Sequence, residues 1–155
     1  YCLPNGAVVD IDLAVQKVRA FNRFYMPLMN LLGNHYLGSE YSATEARVLF
    51  EIRENEGCNA ACIAKAMNID KSYLSRIIAA HEKSGYLVKT ASSVDKRSYE
   101  LHLTDKGSRR AEEFVKMSNE DVARILAPLA PDERARVADA LNTIIELLGK
   151  GDDVQ

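Results

Sequence analysis

From Asp10 to Gly33 apolar residues recur at helical spacing: Ile11, Ala14, Val15, Val18, Phe21, Phe24, Tyr25, Leu28, Leu31 and Leu32. The spacing predicts one long first helix capped by Asp10, with a kink or break near Arg23 to Pro27, where the proline removes a backbone donor. Ser42 and Glu45 stand three apart before an apolar run. At that spacing the hydroxyl caps the first turn while the carboxylate reaches back to the cap's own amide. A second helix therefore starts there, carries Ala46, Val48, Leu49 and Ile52, and closes at Gly57. Asn59 caps a short third helix whose inward side is read as Cys62, Ile63, Ala66 and Met67.

Asp70 begins a fourth helix that runs to about Ser84, with Gly85 as its stop. Leu74, Ile77, Ile78 and His81 share one face of it, and Ser72, Arg76, Ala79 and Lys83 form the opposite stripe. Tyr86 to Ala91 and Ser98 to Thr104 then alternate as strands do, Leu101 and Leu103 on one face and Glu100 and His102 on the other. They predict a hairpin whose loop, Ser92 to Arg97, is polar, basic and too long for a two-residue turn. A long helix follows from the cap candidate Thr104 through Ala111, Phe114, Val115, Val122, Ile125 and Leu126, ending before Pro128. Pro131 opens the last helix, with Val137, Ala138, Leu141, Ile144, Ile145 and Leu148 as its stripe.

Composition narrows the class. With 47% hydrophobic and 27% charged residues among 155, the chain can build a core, which excludes a disordered tail or a fibre. No stretch approaches the roughly 18 to 20 apolar residues that cross a bilayer. The first ten residues lack the pattern of a signal peptide, and the start at Tyr1 raises the expectation of a longer product. Cys2, Cys58 and Cys62 are an odd set and suit reduced thiols in a cytoplasmic protein. The formal net charge of −2 gives no reason to expect nucleic acid, but it hides an asymmetry. From Lys65 to Arg97 seven bases face three acids, a local +4, and the remainder carries −6.

Two short helices in tandem, the second with a Ser/Arg/Lys stripe, followed by a hairpin with a basic tip, give the order of a winged helix-turn-helix. The expected fold is mainly α with a small β-hairpin wing. A helix fits the major groove, so Ser72, Tyr73, Ser75 and Arg76 at the front of the fourth helix are expected nearest the base edges, where an arginine can bond guanine through two acceptors. Lys71, Lys83 and Lys89 are assigned to phosphates. Lys96 and Arg97 form the wing tip, Arg97 suited to a narrow minor groove, with Asp95 expected to hold its guanidinium.

Four segments together resemble the MarR (multiple-antibiotic-resistance regulator) family of bacterial repressors. They are Asp70-Lys-Ser-Tyr-Leu-Ser-Arg-Ile, Glu82-Lys-Ser-Gly85-Tyr-Leu, Asp95-Lys-Arg97 and Leu101-His-Leu-Thr104-Asp-Lys-Gly107. The resemblance runs over nearly the whole chain. It implies a single domain over residues 1–155, with residues 42–104 as the winged lobe and residues 10–33 and 105–148 as dimerisation helices. It also implies a homodimer on a palindromic double-stranded operator. The apolar surface of the end helices, more than a small lobe can cover, agrees. Two positions depart from the family pattern. His81 stands where an aliphatic residue is usual, and Ala130 replaces a hydroxyl cap at a cost of about 1 kcal/mol.

Many members of that family respond to a small molecule, and Phe24, Tyr25, Met29, His35 and Tyr36 are the candidates to line such a site, the alternative being ordinary core and interface side chains. Other members sense oxidants through a cysteine near the first helix. Cys2 is the candidate by position, with no cation near it in sequence to lower its pKa. Cys62 reads as a small buried hydrophobe. His35, His81 and His102 are scattered without a ligand pattern, so no metal and no cofactor is expected; His81 reads as a packing residue and His102 as an exposed strand residue. There is no phosphate-cradling glycine motif, nucleophile elbow or paired His-x-x-x-His, so no enzymatic activity is expected in this chain. A subgroup of the family carries an acetyltransferase domain, and Tyr41-Ser-Ala-Thr-Glu-Ala-Arg-Val-Leu resembles it, so the alternative is the DNA-binding half of a bifunctional protein. A dimeric interaction module that no longer binds DNA is disfavoured by Arg76, Asp95 and Arg97.

Overall fold

The computed structural model describes residues 9–150. Cys2 lies outside them. The elements run α1 (Ile11–Leu28), a single 3-10 turn (Tyr36–Gly38), α2 (Ala43–Glu54), α3 (Ala60–Met67), α4 (Lys71–Lys83), β1 (Leu87–Ala91), β2 (Tyr99–Leu103), α5 (Asp105–Leu126) and α6 (Pro131–Gly149). The fold is the mainly helical winged arrangement that the residue pattern predicts. Two compact units divide within α5, between Met117 and Ser118.

In the first unit the helix starts are set by short polar side chains. Ser42 Oγ accepts from the Glu45 amide at 3.2 Å and Glu45 Oε2 accepts from the Ser42 amide at 2.9 Å, a complete capping box. Asn59 Oδ1 accepts from the Cys62 amide at 2.9 Å, and Asp70 Oδ1 from those of Ser72 and Tyr73 at 2.9 and 3.1 Å. Asp10 occupies the N-cap of α1 without a side-chain bond. That helix ends at Leu28 rather than continuing to Gly33. Pro27 sits in its last turn, and Asn30 then takes a left-handed φ of 53° that no helix can extend through.

The core lies among α2, α3, α4 and the hairpin. Val48, Ile52, Ile63, Leu74, Ile77, Leu87 and Leu101 form one cluster, and Ala46, Leu49, Tyr86, Ala111 and Phe114 another. β1 and β2 pair antiparallel, Leu87 opposite Leu103 and Lys89 opposite Leu101. The inward face of α3 is Ile63 and Ala64, with Met67 half-buried; Cys62 and Ala66 are exposed, which corrects the reading of Cys62 as a buried hydrophobe. Eight residues hold too few helical turns to separate two adjacent apolar faces by pattern.

The start of α5 is locked to the turn after α4. Thr104 Oγ1 donates to the Gly85 carbonyl at 2.6 Å and accepts from the Gly107 amide at 3.1 Å, while Lys106 Nζ donates to the Ser84 carbonyl at 2.8 Å. Gly107 is required there, because a Cβ would fall onto the carbonyl oxygen of Tyr86. In the second unit Arg134 donates to the carbonyls of Leu126 and Ala127, each at 3.2 Å, capping the end of α5. The Ala130 amide donates to Glu133 Oε2 at 2.8 Å, so half of a capping box survives the loss of the hydroxyl. Every residue of α6 is exposed. Among the described residues no helix is long and apolar enough to cross a membrane.

Candidate nucleic-acid interface

The two faces of α4 divide as the helical wheel requires. Leu74, Ile77, Ile78 and His81 are buried, and Lys71, Ser72, Tyr73, Ser75, Arg76, Ala79 and Lys83 are exposed. The Asp70 cap satisfies two of the amides at the front of the helix, so its first turn is a fixed platform. On that platform Arg76 Cζ lies 5.8 Å from the centre of the Tyr73 ring. The two residues are three apart on a helix, the spacing at which side chains meet, and the ring restrains a guanidinium that would otherwise sweep freely. Tyr73 therefore has a second role beside its own exposure, one that the spacing could have revealed.

The wing tip is built from its own polar side chains. Ser92 Oγ accepts from the amides of Val94 and Asp95 at 3.2 and 3.3 Å, and the Ser98 amide donates to the Asp95 carbonyl at 2.9 Å. Asp95 Oδ1 accepts from the backbone amide of Arg97 at 2.9 Å. The carboxylate thus shapes the loop instead of holding the Arg97 guanidinium, because an Asx turn brings the amide two residues on closer than any side-chain terminus. Lys96 and Arg97 are left exposed beside Val94, which is 94% exposed.

Lys89 stands apart from the other cations. Its Nζ lies 3.1 Å from Glu82 Oε2, so its charge is shared across the α4 to β1 turn. The base of the wing is fastened by residues that pattern reading missed. His102 Nδ1 lies 2.7 Å from Glu56 Oε1 and its Nε2 lies 3.1 Å from Thr90 Oγ1, so this half-buried histidine is a strut, not an exposed strand residue. The Leu101 amide donates to the Cys58 carbonyl at 2.8 Å and the Gly57 amide to the Leu101 carbonyl at 3.2 Å, stitching the loop before α3 to β2. These partners are far apart in sequence, and no local signal announces them. Burial, and after it the Cys62 thiol, push Cys58 above the usual thiol range, which keeps it protonated and a poor nucleophile.

The five candidate effector residues have separate settings. Phe24 is 65% exposed on α1, and Tyr25 stacks on Phe21 at 5.0 Å. Met29 ends α1. His35 Nδ1 donates to the Ser39 carbonyl at 3.0 Å, and the Tyr36 ring lies 6.4 Å from Phe114. Among the described residues no group of His, Cys, Asp and Glu could hold a metal ion.

Comparison with known proteins gives a consistent picture. The MarR family profile matches residues 41–99, which span α2, α3, α4 and the hairpin. YkoM of Bacillus subtilis, an uncharacterized HTH-type transcriptional regulator, is 36% identical over 125 residues, covering 81% of each chain. A transcriptional regulatory protein of Thauera aromatica, named for the hcr operon, is 31% identical over 101 residues, and the match covers 63% of this chain and 54% of that protein. Among solved structures, wild-type MarR from E. coli in its apo form superimposes with a TM-score of 0.71 at 18% identity, over 90% of this chain and 99% of that one.

Proposed function

The chain belongs to the MarR family, and on that premise we propose that it is a sequence-specific double-stranded DNA-binding transcriptional regulator, a homodimeric repressor of a palindromic operator released by a small-molecule ligand. The observation that carries this reading is the front of α4, where Ser72, Tyr73, Ser75 and Arg76 stand exposed on a capped first turn with the guanidinium against Tyr73. A convex, polar, pre-ordered helix end of this kind suits the major groove and its base edges.

Arg76 reads a base pair, Lys71 and Lys83 hold phosphates, and Lys96 and Arg97 enter the flanking minor groove from a loop that Ser92 and Asp95 have already shaped. Lys89 contributes less, since Glu82 offsets its charge. The second copy comes from the apolar stripes of α1 and α6, neither of which buries a residue within the protomer. Two copies present two α4 helices, which is what a palindrome requires. The effector site is proposed among Phe24, Tyr25, Met29, His35 and Tyr36 from the family resemblance alone, since the structure holds them in separate settings. Work on DNA implies the bacterial cytoplasm.

Selection of bound duplexes from a random pool, followed by fluorescence anisotropy over a range of salt, tests the reading. The wild type is expected to enrich an inverted repeat. Arg97→Ala should bind the recovered duplex more weakly and with a shallower salt dependence while remaining a dimer, and Arg76→Ala should relax preference at one position per half-site by about 1 to 3 kcal/mol. A pool that returns no half-site overturns the proposal.

A further inference from the structure

His81 is 1% exposed on the packed face of α4, where its companions Leu74, Ile77 and Ile78 are aliphatic. Its Nε2 lies 2.8 Å from the backbone carbonyl oxygen of Glu45, in the first turn of α2. A carbonyl oxygen only accepts, so Nε2 carries the proton, and in the neutral ring Nδ1 is left as a bare acceptor. Nδ1 is buried without a partner. Tyr41 and Tyr86 close around the imidazole, with ring centres 5.3 and 5.9 Å away.

The groups facing His81 leave nowhere for a second proton to be received. From α2 there is Glu45, whose carboxylate already accepts from the Ser42 amide at 2.9 Å. The segment before α2 contributes Tyr41, and β1 is preceded by Tyr86, whose phenol burial holds above its ordinary range and therefore neutral. Beyond Tyr41 lies Arg110 of α5, 5.8 Å from that ring and bound to Glu40 and Glu113, each at 2.8 Å. On α4 itself the neighbours Glu82 and Lys83 are exposed, and Glu82 is paired with Lys89.

We propose that His81 is a positioning residue for the recognition helix: its Nε2–H bond seats α4 against α2, and protonation of the enclosed ring unseats the helix, making DNA binding acid-sensitive. This rests on the DNA-binding reading above. His81 touches no duplex; it acts through the placement of Ser72 to Arg76 on the far face of the same helix. A cation at Nδ1 must be hydrated, and water reaches it only if α4 moves away from Tyr41 and Tyr86. The seated state alone presents α4 correctly, so apparent affinity scales with its population. The sign follows from burial, which pushes the imidazole below its ordinary value of 6.5 against the weaker opposing pull of the Glu45 carbonyl and charge. Seating is thus complete above that value and is lost as the pH falls below it, because the open state binds protons more readily than the seated one.

The experiment compares wild type, His81→Gln and His81→Leu on the duplex recovered by selection, at about pH 7.5 and about pH 5.5 and constant ionic strength, with melting temperature followed over the same range. Glutamine can still donate to the Glu45 carbonyl but does not titrate; leucine fills the face without either property. His35 and His102 are common to all three proteins, so the difference isolates position 81. The expected result is a wild-type affinity that falls on acidification by about threefold or more beyond either variant, with a parallel excess loss in melting temperature. Equal pH profiles for wild type and variants, in binding and in melting, overturn the proposal. If one variant fails to fold, the other remains as the non-titrating reference. A wild type that binds no duplex at the higher pH defeats the DNA reading instead, and the melting comparison then still decides whether His81 governs acid stability.

Discussion

Helix α2 and helix α6 carry apolar stripes of similar regularity, yet Val48, Leu49 and Ile52 of α2 have no exposed surface, while Val137, Leu141, Ile144 and Leu148 of α6 each keep more than a third of theirs. Helix α1 follows α6, with Ile11, Val15, Val18 and Phe24 open. The α2 stripe is met by side chains from α3, α4 and the hairpin, so the winged lobe is complete within one chain. The stripes of α1 and α6 are long, ordered and unmet within their own units. Amphipathic pattern therefore says that a face will be covered, and only the burial says whether the same chain covers it. In the proposed reading DNA falls to the lobe, and the end helices are the surface offered to a second copy.

The comparison is most severely tested in the core of the lobe. Ile52→Ala should lower the unfolding free energy by about 2 to 5 kcal/mol, through lost transfer energy and the cavity left behind, as measured by urea unfolding at fixed protein concentration. A smaller loss would mean that the lobe is looser than its burial implies. Next comes α6. Leu141→Glu should weaken self-association by about 2 to 3 kcal/mol, a shift of roughly 30-fold to over 100-fold in the dissociation constant, since it sets a carboxylate in the middle of the apolar stripe. Sedimentation over a concentration series reads this. Wild-type association of that variant would detach α6 from the dimer and leave its stripe unexplained.

The smallest effects lie at the caps, and they have opposite signs in the two regions. Ser42→Ala removes one arm of a complete capping box in the lobe and should cost about 1 kcal/mol, whereas Ala130→Ser restores the missing arm at the start of α6 and should gain up to about the same. Thermal melts of both variants beside the wild type check the pair. A gain at Ser42 or a loss at Ala130 would contradict the hydrogen bonds found at those two helix starts.

Local interactions were legible in the sequence. The bonds from Ser42, Asn59, Asp70 and Thr104 span two or three residues, and each stands where its spacing predicts. The four-residue packed face of α4 is long enough for its period to be unambiguous; the short α3 is not, and there Cys62 and Ala66 were misjudged. The end of α1 was overrun because the apolar spacing continues to Leu32 although Pro27 and Asn30 end the helix first. At the candidate site, the exposure of Arg76, Lys96 and Arg97 followed from pattern and charge. The pairing of Lys89 with Glu82, the strut from His102 to Glu56 and the use of Asp95 on backbone depended on which atoms the fold brings near, and composition carries no such information.

By itself the sequence determined where most helices begin, which faces of the longer ones are apolar, and that a basic segment of +4 is set in an otherwise acidic chain. Those properties depend on neighbours a few residues away, where backbone geometry admits few arrangements. The tertiary structure alone decided which apolar faces find cover within the protomer, which cations remain unshared, and that His81 donates to Glu45 from an enclosure with no acceptor for its other nitrogen. Such outcomes turn on the approach of segments dozens of residues apart, where a shift of one or two ångströms makes or breaks a hydrogen bond.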